Sequence, residues 1–214
     1  MNNPFDFFDE IYCINLDHRI DRWEHAQNEF EKLGIKDRVI RFSAIKHNDG
    51  RIGLIKSNLE IIKIAKSKKL NNVLIFEDDV QFIWKNKPID ILNKSIEQLP
   101  DDKWNMFYLG ANTHQKLIKT NKENLVILKN AFATHSICFN KNTFDYYIKY
   151  AEKLNKITNI NDVLDVWISK NIQEKGIVFM TNPLLTTQME SFSDIEGRKV
   201  NYSFIEERFK KNIK

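Results

Sequence analysis

Cysteine is scarce: the 214-residue chain has two, Cys13 and Cys138. Each lies in an apolar, strand-like run (Ile-Tyr-Cys-Ile-Asn and Ser-Ile-Cys-Phe-Asn), where a buried free thiol in a reducing compartment is the simplest expectation. No C-x-x-C or Cys/His spacing is present, which excludes the usual sequence forms of a zinc site. None of the five histidines pairs with another at short ligand spacing. No apolar run reaches the ~18 residues needed to span a bilayer. The opening Met1-Asn2-Asn3-Pro4-Phe5-Asp6 lacks both the basic start and the apolar core of a signal peptide. A cytoplasmic protein, at most peripheral to a membrane, is expected. A large excess of one charge is also missing: 33 basic and 29 acidic residues leave +4, interleaved along the chain. Nucleic acid is therefore not an expected partner, whereas a mildly basic balance suits an anionic diphosphate. Internal repeats and low-complexity linkers are absent.

What is present describes an ordinary folded domain. Hydrophobic residues make up 42% and charged residues 29%, with fifteen Phe to fill a core. Apolar runs predict strands over 10–16, 39–42, 73–76, 104–109, 125–128, 134–139 and 177–180. Helical spacing predicts helices over 22–33, 54–69, 89–98, 141–155 and 161–174. Residues 111–124 and most of the chain after Asn182 read as irregular. Alternation of strand and helix argues for one α/β domain with a mostly parallel central sheet flanked by helices. Its expected bounds are 8–196, with 197–214 a basic tail ending as a solvated helix.

The chemistry concentrates at Glu77-Asp78-Asp79, which follows the apolar strand Val73-Leu74-Ile75-Phe76. Ligands of open α/β sheets bind beyond the carboxyl ends of strands. Three adjacent carboxylates repel one another unless water or a hard cation relieves them. Mg²⁺ and Mn²⁺ take oxygen ligands and are commonly shared between one or two carboxylates and a substrate's phosphates. A charged surface turn is the competing reading of the same residues.

The run Val73 to Val80 resembles the central motif of glycosyltransferase family 25. Other segments are similar in the same order: Tyr12 to Asp17 with Arg19 and Arg22, Ala44 with Asp49-Gly50, Gly53 to Ser57, Trp104 to Gly110, Thr134 to Phe144, and Asn182 to Gln188 with Ser193-Asp194-Ile195. The likeness covers about 10–196. One departure stands out: Asn58 occupies the place of the family's His, and Leu54 the place of its Cys.

The resemblance implies a GT-A-like fold and a UDP-sugar donor, with galactose or glucose the expected sugar. It further implies inverting transfer to a glycan or hydroxylysine-type protein acceptor, assisted by Mn²⁺ or Mg²⁺. Asp78 and Asp79 would hold the metal, with Gln188 or Asp194, or water, as the third ligand, and Glu77 would support the donor or the metal. Asn15, Leu16, Arg19, Arg22, Ala44, Ser57 and Asn58 are candidates for binding the donor. Asp162 is the candidate base that takes the acceptor proton, with Asp165 the alternative; an acidic residue in a helix's first turn is also favoured by the helix dipole alone. The Asn58 departure motivates a second expectation, a non-catalytic nucleotide-sugar- or glycan-binding protein on the same scaffold.

Overall fold

A computed structural model of the chain describes residues 3–101 and 103–213. In chain order the strands are β1 (Glu10–Asn15), β2 (Val39–Ser43), β3 (Asn72–Glu77), β4 (Val80–Phe82), β5 (Met106–Tyr108), β6 (Asn112–Thr113), β7 (Ile118–Lys119), β8 (Leu125–Ile127), β9 (Ala131–Phe132), β10 (Ser136–Asn140), β11 (Val178–Thr181), β12 (Thr186–Gln188), β13 (Ser191–Ser193) and β14 (Arg198–Val200). The helices are α1 (Ile20–Lys32), α2 (Gly50–Ser67), α3 (Pro88–Gln98), α4 (Lys141–Ala151), α5 (Leu164–Ile168) and α6 (Phe204–Asn212).

An eight-stranded sheet runs in the order β2-β1-β3-β10-β5-β11-β8-β7. β1 pairs in parallel with both β2 and β3, and β5 with β11, while β10 and β8 are antiparallel to each neighbour. The sheet is therefore mixed, and six of its eight strands run in one direction, with β10 and β8 reversed. Successive strand residues point to opposite faces. Tyr12, Ile14, Val73 and Ile75 enter one core with Ile55, Leu59 and Ile62 of α2 and Tyr147 of α4. Ile11, Cys13, Leu74 and Phe76 enter the other, with Ala26 and Phe30 of α1 and Leu92 of α3. Both faces being covered, these strands read as continuous apolar runs. The two cysteines are buried and free.

Three expectations need correction. Residues 111–124 are not wholly irregular but contain β6 and β7, and the segment after Asn182 forms β12, which pairs with β4, and the β13–β14 hairpin. The 161–174 helix is interrupted: a single 3₁₀ turn at Ile160–Asp162 precedes α5, which widens into a π turn over Ser169–Gln173. The C-terminal helix is not a solvated end. Ile205 and Phe209, one turn apart, are buried in the core. Arg208 donates to Asn112 Oδ1 at 2.9 Å, and Asn212 to the Thr113 carbonyl at 3.0 Å. Lys214, the last residue of the expected tail, lies outside the described residues, as do Met1 and Asn2. Among the described residues no helix is long and apolar enough to cross a membrane.

Candidate donor site

The carboxyl ends of β1, β2 and β3 lie side by side, with Asn15 paired to Ser43 and Ile14 to Glu77. They open onto a cavity of about 440 Å³ whose walls include Leu16, Ala44, Arg22, Glu77, Asp78, Asp79 and Gln188. These expected residues are thus brought to one place from five separated segments of the chain.

Each carboxylate of the triplet has its own surroundings. Asp78 is buried, and both of its oxygens accept hydrogen bonds: Oδ2 from Asn15 Nδ2 at 2.7 Å, Oδ1 from Arg22 Nη1 at 2.9 Å. Asp79 is also buried; its Oδ2 accepts from Gln188 Nε2 at 3.2 Å and lies 3.7 Å from Arg22. Its Oδ1 is buried without a partner. Burial pushes the Asp79 carboxyl up, opposed by the Arg22 charge and reinforced by Asp78. Glu77 accepts from Thr134 Oγ1 at 2.6 Å. Burial also raises its carboxyl, and the neighbouring Asp79 charge adds to the effect. Among the described residues Arg22 is the cation paired with the triplet, with Asp78 at 2.9 Å and Asp79 at 3.7 Å. It is itself buried, and its other amino group donates to Ser191 Oγ at 2.7 Å and to the Phe192 carbonyl at 3.0 Å.

Among the described residues no three His, Cys, Asp or Glu side chains converge as a complete metal cage. The donor set nevertheless fits a hard divalent cation of the kind that completes its shell with phosphate oxygens and water. The unpartnered Asp79 oxygen is the specific observation, because a buried carboxylate oxygen without a donor is costly. It narrows the expected ligand pair: Asp78 is held by Asn15 and Arg22, so Asp79 is the better placed of the two. Gln188 uses its amide nitrogen on Asp79, so any metal it met would have to meet its amide oxygen.

Several expected donor contacts are redirected. Asn15 is buried and acts within the protein: besides Asp78 it donates to the Arg19 carbonyl at 3.0 Å and accepts from Arg41 at 2.7 and 2.9 Å. Arg19 is not on the cavity wall; its guanidinium pairs with Asp21 at 2.9 Å and with Asp194. It ties α1 to the β13–β14 hairpin instead of waiting for phosphate. Asn58 is turned into its own helix, donating to the Leu54 carbonyl at 2.9 Å, and does not line the cavity. Leu54, the other residue of that departure, does line the cavity.

Ser57 is a wall support, not a ligand. Fully buried, it accepts from the Ile45 amide at 2.9 Å and donates to the Gly53 carbonyl at 2.8 Å. A Cβ on Gly53 would lie 2.5 Å from the Ile45 carbonyl oxygen, so only glycine lets α2 approach this segment. Ser57→Ala orphans the Ile45 amide and is expected to cost about 1–3 kcal/mol, measured by urea denaturation.

The candidate bases separate. Asp162 does not reach the triplet's cavity; it lines a different groove, and its carboxylate accepts from the Thr158 and Asn159 amides at 2.8 and 3.0 Å. It closes a capping box on the 3₁₀ turn, and these hydrogen bonds hold its carboxyl below the usual range. Asp165 does not line that cavity either, but its surroundings differ. Burial raises its carboxyl, and it accepts from the Val166 amide at 2.8 Å and, weakly, from the Ala133 amide at 3.5 Å. Ala133 precedes Thr134, the residue that donates to Glu77.

Sequence reasoning missed Lys46, His18 and Tyr202 on the cavity wall and Arg41 behind it. Lys46 is exposed and has no ion pair among the described residues. A basic residue inside the apolar run Val39-Ile40-Arg41-Phe42 was the available signal for Arg41. The others come from loops with no pattern to read.

No protein-family model matches the chain, and no curated protein matches it. Among solved structures it is similar to a glycosyltransferase involved in the glycosylation of the major capsid of PBCV-1, with 14% identity over 78% of this chain and 71% of that one and a TM-score of 0.46. It is also similar to a mannose-1-phosphate geranyltransferase from Thermus thermophilus, with 8% identity, coverage of 80% and 72%, and a TM-score of 0.47. A UDP-glucose pyrophosphorylase complexed with UDP-glucose gives 9%, 94% and 80%, and 0.46. At these values the likeness carries no conclusion about this chain, and the site's chemistry rests on its own residues.

Proposed function

We propose that the chain is a GT-A-type glycosyltransferase of the family 25 kind. It would transfer a hexose with inversion from a UDP-sugar to a glycan or hydroxylysine-type acceptor. The observation that carries this reading is the strand-end triplet, in which Asp79 lines a cavity of about 440 Å³ and has one buried oxygen without a partner. That volume lies within the ~300–1,000 Å³ typical of small-ligand sites.

Bound Mn²⁺ or Mg²⁺ would supply charge neutralisation for the departing diphosphate, held by Asp79 with Asp78 and Gln188 beside it. Arg22 and Lys46 add fixed positive charge at the same wall, and Leu16 and Ala44 offer an apolar surface to the nucleoside. Glu77, whose carboxyl burial raises, is placed to hydrogen-bond a donor hydroxyl. Asp165 replaces Asp162 as the base: a carboxyl raised by burial is better matched to proton abstraction near neutral pH than one held down by three hydrogen bonds.

The test is direct. Purified protein with Mn²⁺ is expected to bind and slowly hydrolyse at least one of a panel of UDP-sugars, and failure with all of them would sink the proposal. Lys46→Ala is expected to raise the KM for the donor about tenfold with a smaller change in kcat, since an exposed lysine contributes mainly to ground-state phosphate binding. The second reading, a nucleotide-sugar-binding protein without turnover, is favoured by the hold of Arg22 on both Asp78 and Asp79. It would show UDP-sugar binding with no release of sugar.

A further inference from the structure

A second concavity lies away from the donor cavity. A groove of about 760 Å³ between α4, the 152–159 segment and α5 is lined by Tyr146, Lys149, Tyr150, Lys153, Lys156 and Trp167, with Asp162 at its edge. Its wall is an aromatic platform. Tyr150 stacks on Trp167 with ring centroids 3.9 Å apart and planes 12° from parallel. Tyr146 lies 5.6 Å from Trp167 and is 45% exposed.

Charge on and just beyond α4 is sorted by face. Asp145 pairs with Lys66 and Glu152 with Lys63 at 3.0 Å, so the acids are matched by lysines of α2. Lys149, Lys153 and Lys156 are exposed on the groove and have no ion pair among the described residues. Asp162 pairs with none of them: its carboxylate accepts from Thr158 and Asn159. Three lysines thus share the groove with the aromatic rings and with a single acid, Asp162, which leaves an excess of positive charge.

We propose that this groove binds an anionic glycan segment. The C–H faces of pyranose rings suit the negative π faces of Tyr146 and Trp167, and lysine ammoniums meet carboxylate or phosphate groups as point charges. The footprint is too small for a polynucleotide, which draws on a wide basic face. No arginine lines the groove to grip phosphodiesters in a bidentate way. The site stands independently of the donor cavity, whether or not a sugar is transferred there.

Isothermal titration of the full chain with oligogalacturonate, a neutral maltooligosaccharide of equal length and a short oligothymidylate tests this. Oligogalacturonate is expected to bind, more weakly as salt rises. Affinity is expected to fall about tenfold in the combined Lys149→Ala, Lys153→Ala, Lys156→Ala variant and in Tyr146→Ala, all surface changes, and to be unchanged in Asp79→Asn. Absence of binding, equal binding of the neutral sugar, or unchanged affinity in the lysine variant would overturn the proposal. Tighter, lysine-dependent binding of oligothymidylate would overturn it in favour of nucleic acid. Because binding is read without turnover, an inactive donor site leaves the outcome intact.

Discussion

Asp79→Asn is expected to lower Mn²⁺-dependent turnover of a UDP-sugar by about 10²–10³-fold, the scale of losing one group that meets developing charge in a transition state. The change is nearly isosteric, and the Gln188 and Arg22 neighbours stay in place. Steady-state kinetics against metal concentration checks it, and an unchanged dependence on Mn²⁺ would remove Asp79 from the site. The same variant is expected to melt higher than the parent in the presence of a chelator. Asp79 and Glu77 are both raised above their ordinary values, to about 6 and about 8. A carboxyl raised by folding binds its proton more tightly in the folded state than in the unfolded one. Its ionisation therefore opposes folding, weakly just above the unfolded value and fully above the folded one. Without metal, stability should rise as pH falls from above about 8, through about 6, to the ordinary carboxylate range, and the rise should be smaller in Asp79→Asn. Thermal melts across that range, with and without Mn²⁺ plus UDP, separate the two contributions. Such a site trades stability for function.

The second large effect concerns two aspartates three residues apart. Asp165→Asn is expected to reduce transfer at least ~10²-fold, as removal of a general base does, and to flatten the acid limb of the kcat profile. Asp162→Asn is expected to leave kcat nearly unchanged and to lower the melting temperature slightly, because its carboxylate only closes the turn at Ile160–Asp162. If Asp162→Asn instead abolishes transfer while Asp165→Asn does not, the assignment of roles is reversed. Donor hydrolysis should survive better than acceptor glycosylation in Asp165→Asn, since water needs less help from a positioned base than a sugar hydroxyl held at one angle.

The sequence by itself determined the scaffold. Continuous apolar runs such as Val73 to Phe76 are what a strand covered on both faces must contain, and the amphipathic set on Leu59, Ile62 and Ala65 is what one face of α2 must contain. Those constraints act residue by residue and are legible one at a time. The position of the triplet at the end of β3 followed from the same pattern. The direction of β10 and β8 was not legible, because a buried strand reads alike whichever way it runs. Nor was the packing of α6, whose two apolar contacts, Ile205 and Phe209, are too few to outweigh its charge in a sequence pattern.

Inside the site the division is sharper. That Asp78 and Asp79 stand next to each other is a fact of sequence; which of them has an oxygen left over is not. It depends on Asn15, 63 residues away, and on Arg22, 56 residues away, both of which meet Asp78. Arg19 and Arg22 look equivalent on the chain. Helix α1 aims Arg22 at the carboxylates and leaves Arg19 with Asp21 and Asp194. Asp162 and Asp165 were told apart in the same way, by whether the backbone amides of a turn or the interior of the protein surrounds the carboxyl. Residue type sets what a side chain can do; long-range packing sets solvent access and partners, and these decide what it does.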